Sequence, residues 1–140
     1  MADKIKLNIV APDRTLFKGT VEELYAPGIL GEFGILEGHA PYFTEIEPGA
    51  VHWKADGVDK SAAVAEGFAS VHSDTITLLV EAAEFPEEID PVKAEAYRVR
   101  AEEKLSNMTL FDPDYRFWKL REMRALNRLL LAKGNTANQH

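Results

Sequence analysis

Cysteine is absent from the 140 residues. That excludes a disulfide framework, a thiolate zinc site, an iron–sulfur cluster and a cysteine nucleophile. It is also what a reducing cytoplasm permits. Positive charge is scarce: 16 Lys and Arg stand against 23 Asp and Glu, a net of −7. A chain without a bulk positive field is a poor binder of phosphate backbones, so nucleic acid is not an expected partner. No apolar run approaches the ~20 residues that a membrane span needs. The N-terminal MADKIKLNIV carries no apolar signal core, so export is not expected. What is present is a globular mixture, 46% hydrophobic and 28% charged. The length suits one ordinary domain, or a small domain with an appendage.

The charge is uneven. Residues 1–88 hold 6 Lys and Arg and 16 Asp and Glu, a net of −10, whereas residues 89–140 hold 10 and 7, a net of +3. Late in the chain Arg116, Lys119, Arg121, Arg124, Arg128 and Lys133 are opposed only by Asp112, Asp114 and Glu122. The asymmetry marks two modules with different partners, or a solubility bias without functional content.

Residues 1–86 read as short strands. Lys6-Leu7-Asn8-Ile9-Val10 alternates apolar and polar with the period of a half-buried strand. Ala11-Pro12-Asp13 breaks it, and Gly19 is expected to turn the chain after Leu16-Phe17. Val21–Tyr25, residues 42–47, Val51–Lys54, Ala62–Ala65, Phe68–His72 and Thr75–Val80 follow, and Asp56-Gly57 is a strong hairpin signal. Short strands at this spacing indicate a sandwich or a barrel. No crossover helices are available for a parallel α/β fold.

Residues 87–140 read as two helices. Asp90-Pro91 and Asp112-Pro113 each place an N-capping carboxylate before a proline at the first helical position. The first helix is expected over about Pro91–Leu105, with Val92, Ala96 and Val99 on one stripe, ending at Ser106-Asn107. The second is expected over about Pro113–Lys133, stopped by Gly134-Asn135. Its apolar stripe is Phe117, Leu120, Met123, Leu126 and Leu130, and Arg121, Arg124 and Arg128 share a neighbouring face. A short link makes this an antiparallel hairpin. Large apolar groups are few, so the pair needs something further to dock on. A hairpin with low local stability and more than one position is one outcome; permanent packing on the strand module is the other.

Chemistry is thin. His39, His52, His72 and His140 have no metal-ligand spacing, and His52 and His72 read as ordinary strand residues. No serine lies in G-x-S-x-G. Glu22-Glu23 and Glu87-Glu88 are adjacent rather than paired across a site. No catalytic constellation emerges, and no metal site. The unusual segment is Gly28–Pro41, GILGEFGILEGHAP, where Gly28, Gly31, Gly34 and Gly38 interleave with Ile29, Leu30, Phe33, Ile35 and Leu36. Apolar groups in a glycine-rich loop mark a contact surface, or a loop folded onto its own core.

These residues carry a resemblance. Pro27-Gly28, Gly31-Glu32-Phe33-Gly34-Ile35-Leu36 and Gly38-His39-Ala40-Pro41 resemble the hallmark of the epsilon subunit of bacterial F-type ATP synthase. Pro48-Gly49, Glu66-Gly67-Phe68, Thr75–Leu79, Ala83-Glu84 and Ile89-Asp90 follow in the family's order. The resemblance is collinear over about residues 3–131. It implies a β-sandwich of about ten short strands over residues 1–86, then a C-terminal α-helical hairpin over residues 87–140. It implies a non-catalytic rotor part of the central stalk that binds the gamma subunit and sits on the ring of c subunits. Membrane association would come only through the complex, at the cytoplasmic face of the bacterial inner membrane. Gly31, Glu32, Phe33, Gly38 and His39 are the rotor-contact positions it implies.

The family's hairpin is regulatory: its basic second helix lies against the catalytic head, on beta and alpha subunits, and blocks hydrolysis. Arg116, Lys119, Arg121, Arg124 and Arg128 are the matching basic residues. No cofactor is required, but some members bind ATP as a regulatory ligand around an Ile/Leu-Asp-x-x-Arg-Ala motif. Here that segment is Ile89-Asp90-Pro91-Val92-Lys93-Ala94, with lysine in place of the arginine. Glu84, Arg100, Arg124 and Arg128 match the remaining nucleotide residues. A free-standing β-sandwich binding module with a dimerising hairpin is the competing reading.

Overall fold

A computed structural model describes residues 5–28, 31–35 and 42–137, with side chains over 5–27 and 43–133. Contacts divide the chain into two compact units, Met1–Glu84 and Phe85–His140.

The first unit is a β-sandwich. Its strands are β1 (Ile5–Ala11), β2 (Arg14–Val21), β3 (Glu23–Gly28), β4 (Gly31–Ile35), β5 (Tyr42–Ile46), β6 (Gly49–Ala55), β7 (Val58–Val64), β8 (Gly67–His72), β9 (Thr75–Val80) and β10 (Ala83–Glu84). Hydrogen bonding runs in the order β10-β7-β6-β3-β5-β8-β9-β1-β2, with β4 added on β3. The two layers join where Gly28 of β3 meets Ile46 of β5, the single register pair between those strands. β1 and β9 run parallel, and the other pairs are antiparallel.

Period-2 alternation decides which side chains meet between the layers. Leu7, Ile9, Val21, Leu24, Val51, Ile76 and Leu78 are fully buried, and Trp53 is 2% exposed. The Phe17 ring of β2 reaches Trp53 of β6 at 5.1 Å between centroids. Each such side chain contributes about 1.5–3 kcal/mol by leaving water.

The turns follow local chemistry. Asp56 (φ 52°) and Gly57 (φ 74°) close β6 to β7 with both central residues at positive φ, the two-residue hairpin geometry. The Gly57 N–H also donates to Glu22 Oε1 at 2.9 Å. Gly19, expected to turn the chain, instead lies inside β2 opposite Leu7. Its missing side chain makes room for a ring: a Cβ there would sit 3.1 Å from Phe17 Cζ.

The second unit holds a short 3-10 turn (Pro86–Glu88), α1 (Pro91–Leu105) and α2 (Tyr115–Ala137). α1 has the expected bounds. α2 starts later than expected, because Pro113 lies in a turn in which the Asp112 carbonyl accepts from Tyr115 N at 3.0 Å. It also runs through Gly134-Asn135, so that pair does not end it. α1 packs on α2. Among the described residues the buried side chains of this unit are Ile89, Ala94, Ala101, Ala125 and Ala132, so the expected stripes are not the covered ones. Val92 is 78% exposed and Leu130 71%. Small residues permit close approach but release little surface, roughly 0.8 kcal/mol per buried methyl or methylene group.

Gly67 gives a test of the sandwich. A Cβ there would overlap the Leu79 carbonyl oxygen and come within 2.7 Å of Val80 Cα, both backbone atoms of β9. Gly67→Ala is expected to lower sandwich stability by about 2 kcal/mol or more, read as the urea midpoint of strand signal.

Candidate functional site

Three surfaces are available. The first is the β3–β4 ribbon. Gly28 faces Gly31 in register, Pro27 faces Glu32, Ala26 faces Phe33 and Tyr25 faces Gly34. The glycine-rich segment, read from the sequence as a loop, therefore begins as a strand over Gly31–Ile35. Its base is fixed: Glu47 N donates to the Pro27 carbonyl at 2.9 Å, and Pro27 packs where any Cβ on Gly49 would collide with it. Gly31, Glu32 and Phe33 thus hold backbone positions on a supported edge ribbon. Gly38 and His39 lie outside the described residues.

The second surface was not anticipated from the sequence. Phe43 of β5 and Phe68 of β8 stack with centroids 5.4 Å apart and planes 18° apart. Phe68 is opposite Leu79 of β9 in register. Phe43 is 67% exposed, Phe68 44% and Leu79 51%. Three large apolar groups thus cluster on the outer face of one sheet layer. The signal was in the alternation. Ile46 fixes the inward parity of β5, which turns Phe43 outward, and Ala69 and Leu78 do the same for Phe68 and Leu79.

The third surface is the hairpin. Asp90 Oδ1 accepts from Val92 N (3.0 Å) and Lys93 N (3.3 Å), capping α1 as its sequence position predicts. Of the residues matched to nucleotide binding, Ile89 and Ala94 are buried, and Asp90 serves as the cap. The Arg100 guanidinium lies 5.7 Å from the Trp118 ring centroid. Glu84 belongs to the first unit, and Arg100, Arg124 and Arg128 to the second.

Among the basic residues of α2, Lys119 pairs with Glu122 at 2.8 Å, and that hydrogen bond raises the lysine's pKa. Arg121 lies 3.7 Å over the Phe117 ring, and Arg116 is exposed. On α1, Arg98 bonds both Glu95 and Glu102, the latter at 2.7 Å. The Arg98 hydrogen bond holds the Glu95 carboxyl below its usual range. No cluster able to hold a metal occurs among the described residues, and no described helix is long and apolar enough to cross a membrane. His52 and His72 are exposed.

A sandwich displaying an edge ribbon and an apolar patch, followed by a basic helical hairpin, defines a two-module class of protein with three distinct candidate docking surfaces. Residues 4–86 match the model of the ATP synthase delta/epsilon chain beta-sandwich domain. The ATP synthase epsilon chain of Citrifermentans bemidjiense is 40% identical over 132 residues, 94% of this chain and 96% of that one. That of Koribacter versatilis is 45% identical over 105 residues, 75% of this chain and 74% of that one. The chain belongs to the ATP synthase delta/epsilon family, and its curated relatives are bacterial epsilon chains. The fold is shared with a chain of the Euglena gracilis mitochondrial ATP synthase (TM-score 0.67, 21% identity, 98% of this chain and 82% of that one). A central-stalk/c-ring structure of the Tetrahymena thermophila enzyme gives a TM-score of 0.64 at 14% identity, covering 94% and 98%.

The cap is the site element most open to a direct test. Asp90→Ala is expected to destabilise the start of α1 by about 1 kcal/mol. Amide exchange should quicken at Val92 and Lys93 and stay unchanged in the sandwich.

Proposed function

We propose that the chain is the non-catalytic central-stalk subunit of an F-type ATP synthase, coupling rotation of the c-ring to the catalytic head through gamma and restraining ATP hydrolysis with its C-terminal helices. The observation that carries this is the 40% identity to an ATP synthase epsilon chain across 94% of the sequence. The geometry supports it twice. A rotor part must transmit torque without deforming, and a closely packed sandwich with Trp53 buried in its core is stiff. It must also be held by neighbours, and the Phe43–Phe68–Leu79 patch is an apolar surface of the kind that anchors a partner.

In this reading the patch docks on gamma. The β4 ribbon with Gly31, Glu32 and Phe33, continuing to Gly38 and His39, meets the c-ring. The basic α2, with Arg116, Lys119, Arg121, Arg124 and Arg128, faces carboxylates of the beta and alpha subunits. The protein works peripherally at the cytoplasmic face of the bacterial inner membrane and needs no cofactor. ATP is a regulatory ligand of the hairpin, with phosphates on Arg100, Arg124 and Arg128. Calorimetric titration of the chain with ATP tests that point, and no heat at millimolar nucleotide removes it. Co-purification tests the whole: a gamma-like chain should come with it, whereas a homodimer without gamma would sink the proposal.

Two mutants separate the modules. Phe43→Ser with Phe68→Ser is expected to weaken gamma binding by about 30-fold or more, with little change in unfolding midpoint because both rings are exposed. Arg121→Ala, Arg124→Ala and Arg128→Ala together should relieve inhibition of hydrolysis in the reconstituted enzyme; unchanged inhibition removes the role given to α2.

A further inference from the structure

The hairpin closes over alanines, so something else must hold it. Three of the four cations of α1, Lys93 apart, divide into two kinds. Arg98 is occupied by Glu95 and Glu102. The side chains of Arg100 and Lys104, one helical turn apart, make no hydrogen bond or ion pair with another described residue. Both instead approach one ring of the opposite helix, Trp118 of α2, at 5.7 and 5.6 Å from its centroid. Trp118 in turn meets Phe117 edge-on at 5.1 Å, with Arg121 over that phenyl ring. Three cations and two aromatic rings therefore share one cluster, and none of the three cations forms an ion pair with a carboxylate among the described residues.

We propose that Trp118, gripped by Arg100 and Lys104, is the latch that holds α2 on α1, and that a carboxylate-bearing surface releases it by taking those cations. Ring faces attract ammonium and guanidinium groups, and tryptophan does so best. An ionised carboxylate binds the same groups more strongly, bidentately in the case of arginine. Closure and engagement of an acidic partner thus compete for Arg100 and Lys104 of α1, which lie beside the α2 cations assigned to that partner above. The release half rests on the inhibitory role proposed above; the latch itself does not.

The absence of native cysteine allows a clean distance measurement on the full chain. Glu103→Cys and Leu126→Cys place one spin label on each helix at exposed positions. Trp118→Leu is expected to raise the ratio of long to short distances by about five- to thirty-fold, and Arg100→Gln with Lys104→Gln to do the same. An unchanged distribution in Trp118→Leu overturns the latch. So does opening in Trp118→Leu with none in the double glutamine variant, which would mean packing alone. Poly-L-glutamate at low ionic strength should lengthen the distance in the parent; no response overturns release by carboxylates. Hydrolysis by the reconstituted enzyme is read separately. Longer distances with unaltered hydrolysis support the latch while removing the inhibitory reading.

Discussion

Burial of large side chains between the two sheet layers is the interaction on which the rest depends. Trp53, Leu7, Ile9, Leu24, Ile76 and Leu78 leave almost no surface to water. Their parity along each strand settles the parity of every neighbour. Phe43, Phe68 and Leu79 face outward because Ile46, Ala69 and Leu78 face inward. The exposed apolar patch is thus a by-product of the same alternation that builds the core. It is displayed by strands that cannot slip one residue without exposing that core, which makes it a surface of fixed shape.

The second unit is built on a different balance. Among the described residues its buried side chains are alanines apart from Ile89, whereas Val92, Tyr97, Leu126 and Leu130 remain exposed. Its order comes from local polar chemistry: the Asp90 cap, Arg98 between two carboxylates, Lys119 on Glu122. Exposed pairs of this kind stabilise helices individually and contribute little to holding one helix on another. Stable helices with a weak mutual interface form an element that can change partner at modest cost.

Most of the architecture was legible in the sequence. Strand alternation in Lys6–Val10, the Asp56-Gly57 turn and the Asp90-Pro91 start are local signals, and each corresponds to what the structure shows. The failures share a cause. Gly19 reads as a turn only until Phe17 is seen to need the space beside it. Gly134-Asn135 reads as a stop, yet the helix continues through it. The stripes expected for the hairpin follow the helical spacing of Val92, Ala96, Val99 and of Phe117, Leu120, Met123, Leu126, Leu130, whereas close helix packing covers the small residues Ala94, Ala101, Ala125 and Ala132. The Phe43–Phe68 stack joins residues on different strands, so only register could reveal it. The Arg100–Trp118 contact likewise needs two helices in place before it exists.

Charge links the two units to a common logic. Residues 1–88 carry a net of −10 and residues 89–140 a net of +3. A cation on the hairpin has three kinds of partner available: a carboxylate on its own helix, an aromatic face, or a carboxylate elsewhere. Arg98 and Lys119 take the first. Arg100, Lys104 and Arg121 take the second, which is the weakest of the three. A folded protein that leaves these three cations on rings, with 23 acidic residues in the same chain, keeps them exchangeable. That is the condition a regulatory arm has to meet: its closed form must hold, yet lose to an acidic surface once one is presented.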